Sequence, residues 1–160
     1  MKRGGGARPA VEAIIFDWGR TLYDSDSGDL VPRVPDLLAR LVRRYRLAIV
    51  SLITGDYEGR LARRLALLRE RDIARHFAVV LFGRDDKDGL YATALARLGL
   101  GARAVAVVDD RVVRGIRWGN RHGATTIWLR GGKFADELPD DETGRPTHTI
   151  GSITDLDELL

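Results

Sequence analysis

The sequence contains no cysteine, and only 3 of its 26 basic residues are lysines. The absence of cysteine excludes disulfides, thiolate nucleophiles and cysteine-based zinc sites. No apolar run approaches the about 20 residues that a helix needs to cross a bilayer, so we expect no membrane partner. A chain without cysteine also suits a cytoplasmic location, which is the location that we expect.

A secretory signal is also missing from the N-terminus. Residues 1–10 are basic and rich in glycine, but no apolar segment follows them, so we expect a flexible tail there. The length of residues 11–160 predicts a single domain. The chain is 44% apolar and 31% charged, which is typical of a folded globular protein.

The net charge is only +3, although arginines crowd the segment between Arg40 and Arg75. Solvated helix faces explain this segment better than a nucleic-acid surface does, because the overall charge is modest and no aromatic residues are interleaved. Nucleic acid is therefore not the partner that we expect.

Short apolar runs alternate with helical patterns, as in parallel strands that are buried on both faces of a sheet. The predicted strands are Ala13–Phe16, Leu47–Ser51, Ala78–Phe82, Ala104–Val108 and Thr125–Leu129, with a short final strand near Thr147–Ile150. The predicted helices are Pro35–Tyr45, a helix capped by Asp56 that runs to about Arg71, Asp86–Leu98, Arg111–Arg121 and Asp155–Leu159. The pattern predicts an α/β fold, a doubly wound, Rossmann-like parallel sheet of about five strands with helices on both faces and no cap domain. Residues 131–145, rich in Gly, Asp, Glu and Pro, are expected to form a surface loop.

Polar side chains stand at the ends of four predicted strands. Asp17 follows the first strand, Ser51 ends the second, and Lys87 opens the helix after the third. Asp109 and Asp110 follow the fourth strand. In a doubly wound sheet these ends converge on one crevice. Carboxylates, a hydroxyl and an ammonium in one crevice predict phosphoryl chemistry with a bound Mg²⁺ ion and an attacking carboxylate.

The order and spacing of these residues resemble the motifs of the haloacid dehalogenase (HAD)-like superfamily, whose members are mostly Mg²⁺-dependent phosphatases. Residues 14–22 read Ile-Ile-Phe-Asp-Trp-Gly-Arg-Thr-Leu, which is similar to the first motif, an apolar strand followed by Asp-x-Asp-x-Thr-Leu. Ser51, Lys87 and the pair Asp109-Asp110 match the other three motifs, and residues 119–126 look like the passage into the fifth strand. Together the motifs are fairly specific, and the resemblance covers about residues 11–160.

The resemblance implies a role for each matching position. The implied catalytic residues are Asp17 and Lys87, the substrate-binding residues are Ser51, Arg20 and Thr21, and the metal ligands are Asp17, Asp110 and the backbone carbonyl of Gly19. Asp17 would be the nucleophile that forms an aspartyl-phosphate. Ser51 and Lys87 would hold the phosphoryl group, and Thr21 would support the turn.

The chain departs from the family pattern at three positions. The second aspartate of the first motif, the general acid/base, falls on Gly19, and loss of such a group typically removes about 10²–10⁴-fold in rate. The second acid of the fourth motif falls near Gly115, which predicts a thinner acidic cluster and weaker metal binding. Arg20 replaces a glycine, and its guanidinium could bind a substrate anion or point to solvent.

The sequence therefore predicts a Mg²⁺-dependent phosphoester hydrolase that acts on a phosphorylated substrate through Asp17. An open site without a cap favours a large or macromolecular substrate. The first alternative is a catalytically impaired phosphate- or protein-binding domain of the same fold, because of Gly19 and Gly115. The second alternative is a nucleic-acid-associated module. The sequence leaves the oligomeric state open.

Overall fold

The computed structural model describes residues 10–160, so the expected tail at residues 1–10 lies outside the described residues apart from Ala10. Its strands are β1 (Ala13–Phe16), β2 (Tyr23–Asp24), β3 (Asp29–Leu30), β4 (Arg46–Leu52), β5 (Phe77–Gly83), β6 (Val105–Asp109), β7 (Thr125–Leu129) and β8 (His148–Ile150). Strands β2 and β3 form an antiparallel hairpin. The other six form one parallel sheet in the order β5-β4-β1-β6-β7-β8, which is the Rossmann order.

Helices cover both faces of this sheet, as predicted. They are α1 (Val34–Leu41), α2 (Tyr57–Glu70), α3 (Lys87–Leu98), α4 (Arg117–His122) and α5 (Leu156–Leu159). Side chains of β1 alternate between the two faces because successive strand residues point to opposite sides. Ile14 and Phe16 pack with residues of α1, α2 and α5, whereas Ala13 and Ile15 pack with residues of α3 and α4.

The sheet has six parallel strands rather than about five, because the short final segment pairs with β7 from Ile127 to Leu129. The predicted strands Ala13–Phe16 and Thr125–Leu129 coincide with β1 and β7, and the others differ by one residue at their ends. Between β1 and β4 the chain forms the hairpin and α1 and no inserted domain. The hairpin was not predicted, because strands of two residues carry no periodic signal.

Two predicted helices are shorter than their sequence patterns. Helix α1 ends at Leu41 rather than at Tyr45, because the apolar face stops there and Val42 is exposed. The predicted helix Arg111–Arg121 begins as one π-type turn, Val112–Ile116, and becomes α-helical only at Arg117. Such turns are frequent at functional sites.

The remaining irregular segment follows β7. Residues 131–145 form a loop as predicted, with one 3₁₀ turn at Gly132–Phe134. Among residues 10–160, no helix has the length and apolar character that crossing a bilayer requires.

Candidate active site

The strand order reverses beside β1, since β4 and β5 lie on one side of it and β6 to β8 on the other. Ligands of open α/β sheets bind beyond the carboxyl ends of the strands at this kind of switch point. Asp17 directly follows β1, and its backbone N–H donates to the carbonyl of Val108 in β6 at 3.0 Å. Asp109, the last residue of β6, therefore reaches the same edge of the sheet as Asp17.

Three carboxylates meet at this edge. Oxygen atoms of Asp17, Asp109 and Asp110 all lie within 4.8 Å of one another, and all three residues are buried. The structure thus brings together the acidic residues that the sequence placed at the ends of two different strands.

Lys87 lies between two of these carboxylates. Its Nζ atom is 3.2 Å from Oδ1 of Asp17 and 2.7 Å from Oδ2 of Asp109. Burial alone would lower the pKa of Lys87, but the charges of Asp109 and Asp17 outweigh burial and hold that pKa well above its usual value. Lys87 is therefore a buried ammonium, a type of group that is found inside proteins only when it is paired.

Asp109 accepts hydrogen bonds from two backbone N–H groups in addition to Lys87. Its Oδ1 accepts the backbone N–H of Arg111 at 3.0 Å, and its Oδ2 accepts that of Gly115 at 2.9 Å. Burial would raise the pKa of Asp109, but Lys87 and these two N–H donors outweigh burial and lower it. The two backbone N–H groups that bind Asp109 belong to the first turn after β6. We attribute the π-type geometry of that turn to these bonds.

The fourth motif is not thinned at Gly115 in the way that the sequence suggested. A Cβ atom on residue 115 would lie 2.5 Å from Oδ2 of Asp109, so the carboxylate of Asp109 occupies the space beside that glycine. The cluster keeps three carboxylates because Asp109 supplies the third. The motif pattern assigns the metal-ligand role to Asp110 and no separate role to Asp109.

The other two carboxylates have raised pKa values. Burial raises the pKa of Asp110 to about 8, with further contributions from Asp109 and Asp17. Burial also raises the pKa of Asp17, against the opposing effect of Lys87. The Oδ2 atom of Asp110 is buried and has no hydrogen-bond partner within residues 10–160.

The donor set fits a divalent cation. If a cation held all three carboxylates in their ionised form, they and the ammonium of Lys87 would leave two negative charges, which a divalent ion would balance. Hard cations such as Mg²⁺ prefer carboxylate and carbonyl oxygens. An unpartnered buried oxygen on Asp110 offers a ligand atom on the same cluster.

The turn after Asp17 is tightly bonded. The carbonyl of Trp18 accepts backbone N–H groups from Thr21, Leu22 and Tyr23 at 3.2, 3.0 and 3.0 Å. Apart from its chain neighbours, no atom of residues 10–160 lies within 4 Å of a Cβ built on Gly19, so the space there is open.

The two other residues predicted in this turn differ in their surroundings. Thr21 is fully buried, and its hydroxyl has no hydrogen-bond partner in the part of the chain that the structure describes. Arg20 is exposed, and its guanidinium lies 5.0 Å from the ring centre of Phe134. Arg20 lowers the pKa of Asp110 only slightly against the effects that raise it.

Ser51 has a partner that the sequence did not reveal. Arg64 of α2 donates from Nη1 to Oγ of Ser51 at 3.4 Å and to the carbonyl of Leu52 at 3.3 Å. Its guanidinium also lies 5.0 Å from the ring centre of Phe82. Burial lowers the pKa of Arg64, while the charge of Asp17 opposes this effect. The helical spacing of the arginines in α2 was visible in the sequence, but the face that approaches Ser51 was not.

Residues 86–156 match a family model described as HAD-hydrolase-like. A glyceraldehyde 3-phosphate phosphatase from Methanopyrus kandleri is 31% identical over 74 residues. That match covers 42% of this chain and only 32% of the relative's length.

Solved structures share the fold. A protein of Listeria monocytogenes aligns with a TM-score of 0.70 at 20% identity, over 93% of this chain and 96% of the other. An L-2-haloacid dehalogenase from Xanthobacter autotrophicus aligns with a TM-score of 0.71 at 13% identity, over 93% and 98%. A protein of Bacillus subtilis named as a HAD-hydrolase and bound to magnesium aligns with a TM-score of 0.65 at 18% identity, over 82% and 56%. The chain is therefore similar to HAD-like hydrolases over residues 86–156, and it shares the fold of these solved structures.

Proposed function

We propose that this chain is a Mg²⁺-dependent phosphoester hydrolase that acts through an aspartyl-phosphate on Asp17. The observation that carries the proposal is the cluster of three carboxylates around the buried ammonium of Lys87 at the switch point of the sheet. The related phosphatase from Methanopyrus kandleri and the magnesium-bound structure from Bacillus subtilis support it.

Asp17, Asp110 and the backbone carbonyl of Gly19 would hold the Mg²⁺ ion. The bound ion would supply positive charge against the phosphoryl oxygens and would balance the two excess charges of the cluster. Asp109 is already paired with Lys87 and with two backbone N–H groups. In this proposal Asp109 therefore orients Lys87 and does not bind the metal.

Four residues of this chain would then carry out the two chemical steps. A carboxylate oxygen of Asp17 attacks phosphorus, and the bond from phosphorus to the leaving oxygen breaks. Water next hydrolyses the aspartyl-phosphate and restores Asp17. Lys87 and the hydroxyl of Ser51 bind the phosphoryl oxygens, and Thr21 supports the turn.

The absence of a general acid/base at position 19 restricts which leaving groups can depart readily. Gly19 has no side chain that could protonate a departing alkoxide, so substrates with acidic leaving groups should react fastest. We infer a small phosphorylated molecule rather than the macromolecular substrate that the open site suggested, because the relative is named for a small phosphate ester.

Turnover of p-nitrophenyl phosphate tests the proposal, because p-nitrophenolate leaves without protonation. We expect release of p-nitrophenol by the wild-type chain with Mg²⁺, its loss with EDTA, and its loss in Asp17→Asn. Asp141→Asn, a change in the exposed loop, is the matched control and should retain activity. Equal rates for the wild type and Asp17→Asn would overturn the proposal.

A binding domain without turnover is the second candidate, and the side-chain-free position 19 favours it. Calorimetry with Mg²⁺ and orthophosphate distinguishes the two, since heat of binding without turnover supports the second candidate. A cytoplasmic location is part of the first proposal, and cell fractionation tests it.

A further inference from the structure

We propose that the cleft between the β2–β3 hairpin and α2 binds a second anionic group of the substrate. The substrate class is then a small phosphomonoester whose short carbon skeleton also carries a carboxylate or another phosphate. This inference rests on the proposed function, because it assigns the substrate of the same site.

The cleft has a volume of about 590 Å³, which is within the range of small-molecule sites. Trp18, Tyr23 and Gly28 line one wall, and Arg60, Arg63 and Arg64 line the other. The ring of Tyr23 stacks on that of Trp18, which is almost fully buried, with their centres 5.6 Å apart, so the tyrosine ring on the first wall is backed by the core.

The second wall is strongly positive. Its three arginines follow the spacing i, i+3 and i+4, which places them on one face of α2. None of the three forms an ion pair with an acid within residues 10–160, in contrast to Arg71, whose guanidinium pairs with Asp29. Glu70 also lines the cleft but makes no ion pair with these arginines.

One of these arginines joins the cleft to the catalytic edge. Arg64 lines the cleft and donates to the hydroxyl of Ser51, which is the proposed phosphoryl ligand. Arg60 stands four residues earlier on α2, a displacement of about 6 Å along the helix axis. An anion on Arg60 and Arg63 would therefore lie on the same face of α2 as Arg64, about one helical turn from the residue that contacts Ser51.

The ion pair between Arg71 and Asp29 joins the residues that directly follow Glu70 and Gly28, two residues that line the cleft. Nε and Nη2 of Arg71 each lie 2.9 Å from a carboxylate oxygen of Asp29, which connects the end of α2 to β3. Guanidinium groups bind carboxylates and phosphates in this same two-bond geometry. Arg60 and Arg63 offer that geometry to a ligand.

Matched substrates test the proposal. Glycerol 3-phosphate and 3-phosphoglycerate share a three-carbon skeleton and differ in a hydroxymethyl or a carboxylate group. Fructose 6-phosphate and fructose 1,6-bisphosphate form the second pair, which distinguishes a second phosphate from a carboxylate. We expect a higher kcat/KM for the member that carries the second anionic group in at least one pair.

The variants are Arg60→Ser combined with Arg63→Ser, with Arg69→Ser as the control on an exposed position of α2 outside the cleft. The double variant should reduce the ratio of kcat/KM within the preferred pair by about tenfold, as expected for one lost charge-assisted hydrogen bond. The control should keep the ratio. Equal kcat/KM values within both pairs, or an unchanged ratio in the double variant, would overturn the inference.

A direct binding measurement separates this inference from the proposed function. If no phosphate ester is turned over, calorimetry with Mg²⁺ compares 3-phosphoglycerate with glycerol 3-phosphate. Tighter binding of 3-phosphoglycerate that is lost in the double variant would support the subsite while the hydrolase proposal fails. Equal affinities would reject the subsite. Single-stranded RNA could also bind more tightly than either of these two phosphate esters. If that binding is weakened by salt and lost in the double variant, the cleft is a nucleic-acid site instead.

Discussion

The Oδ2 atom of Asp109 lies 2.9 Å from the backbone nitrogen of Gly115, in space that a side chain at position 115 would need. The acid at the end of β6 and the glycine six residues later are therefore a matched pair. A carboxylate from position 109 meets Lys87 where the family pattern expects an acid near position 115.

Moving the carboxylate from position 109 to position 115 tests whether the two positions share one space. Gly115→Asp alone should destabilise the protein by about 1–3 kcal/mol or more, because the new side chain collides with Asp109 and with the hydroxyl of Tyr91. Adding Asp109→Ala should recover part of that loss, because the new carboxylate can then approach Lys87. Urea unfolding of both single variants and the double variant measures the coupling. Strictly additive changes in the free energy of unfolding would contradict a shared space.

The stability of the metal-free protein should decrease as the pH rises towards 8. The pKa of Asp110 is raised from 3.8 to about 8, so in this interval the folded protein keeps a proton that the unfolded chain has released. Stability from this group is thus complete below about pH 4 and lost by about pH 8. Thermal unfolding in EDTA at several pH values measures the decline.

Asp110→Asn should flatten this pH dependence, since an amide has no charge to desolvate. The same change should remove stabilisation by Mg²⁺, because one proposed ligand is lost. Asp141→Asn in the exposed loop should leave both properties as in the wild type. Full retention of Mg²⁺ stabilisation in Asp110→Asn would exclude Asp110 as a ligand.

Gly19→Asp should increase turnover of substrates with poor leaving groups. A Cβ atom at residue 19 would meet no atom within 4 Å among residues 10–160 apart from its chain neighbours. A carboxyl group there could protonate an alkoxide, and we expect about a 10²-fold rise in kcat for glycerol 3-phosphate relative to p-nitrophenyl phosphate. Gly19→Asn has the same size without the acid and should show no such rise. An equal rise in both variants would point to a change in binding rather than in proton transfer.

Asn120 should hold the loop of residues 131–145 in place. Its Nδ2 donates to the carbonyls of Thr143 and Arg145 at 2.9 and 3.0 Å, and its Oδ1 accepts from Thr126 at 2.9 Å. Asn120→Ala should cost about 1–3 kcal/mol, because it leaves these groups unpaired. Hydrogen exchange should increase in residues 140–147, and Glu142→Ala is the control. Unchanged exchange would show that other contacts hold the loop.

Much of the fold could be predicted because buried parallel strands are continuous apolar runs. Ala13–Phe16 and Thr125–Leu129 were predicted to the residue for this reason. The π-type turn at Val112–Ile116 could not be predicted, since its shape depends on contacts with the side chain of Asp109. The β2–β3 hairpin was missed because it is too short to show a period.

The candidate site was predictable where a residue ends a strand. Asp17, Asp110 and Lys87 lie together as the sequence indicated, because the sheet delivers all strand ends to one edge. The contact between Arg64 and Ser51 was not predictable, since it depends on how α2 is rotated against the sheet.

The empty space beside Gly19 also has an evolutionary meaning. The backbone at this position is not in the left-handed region, and a Cβ atom there would have no neighbour within 4 Å in the described residues other than residues 18–20. Glycine codons that end in a pyrimidine differ from aspartate codons by one base. A single base change could therefore complete the first motif, and neither the backbone conformation at residue 19 nor the space for its Cβ atom prevents it.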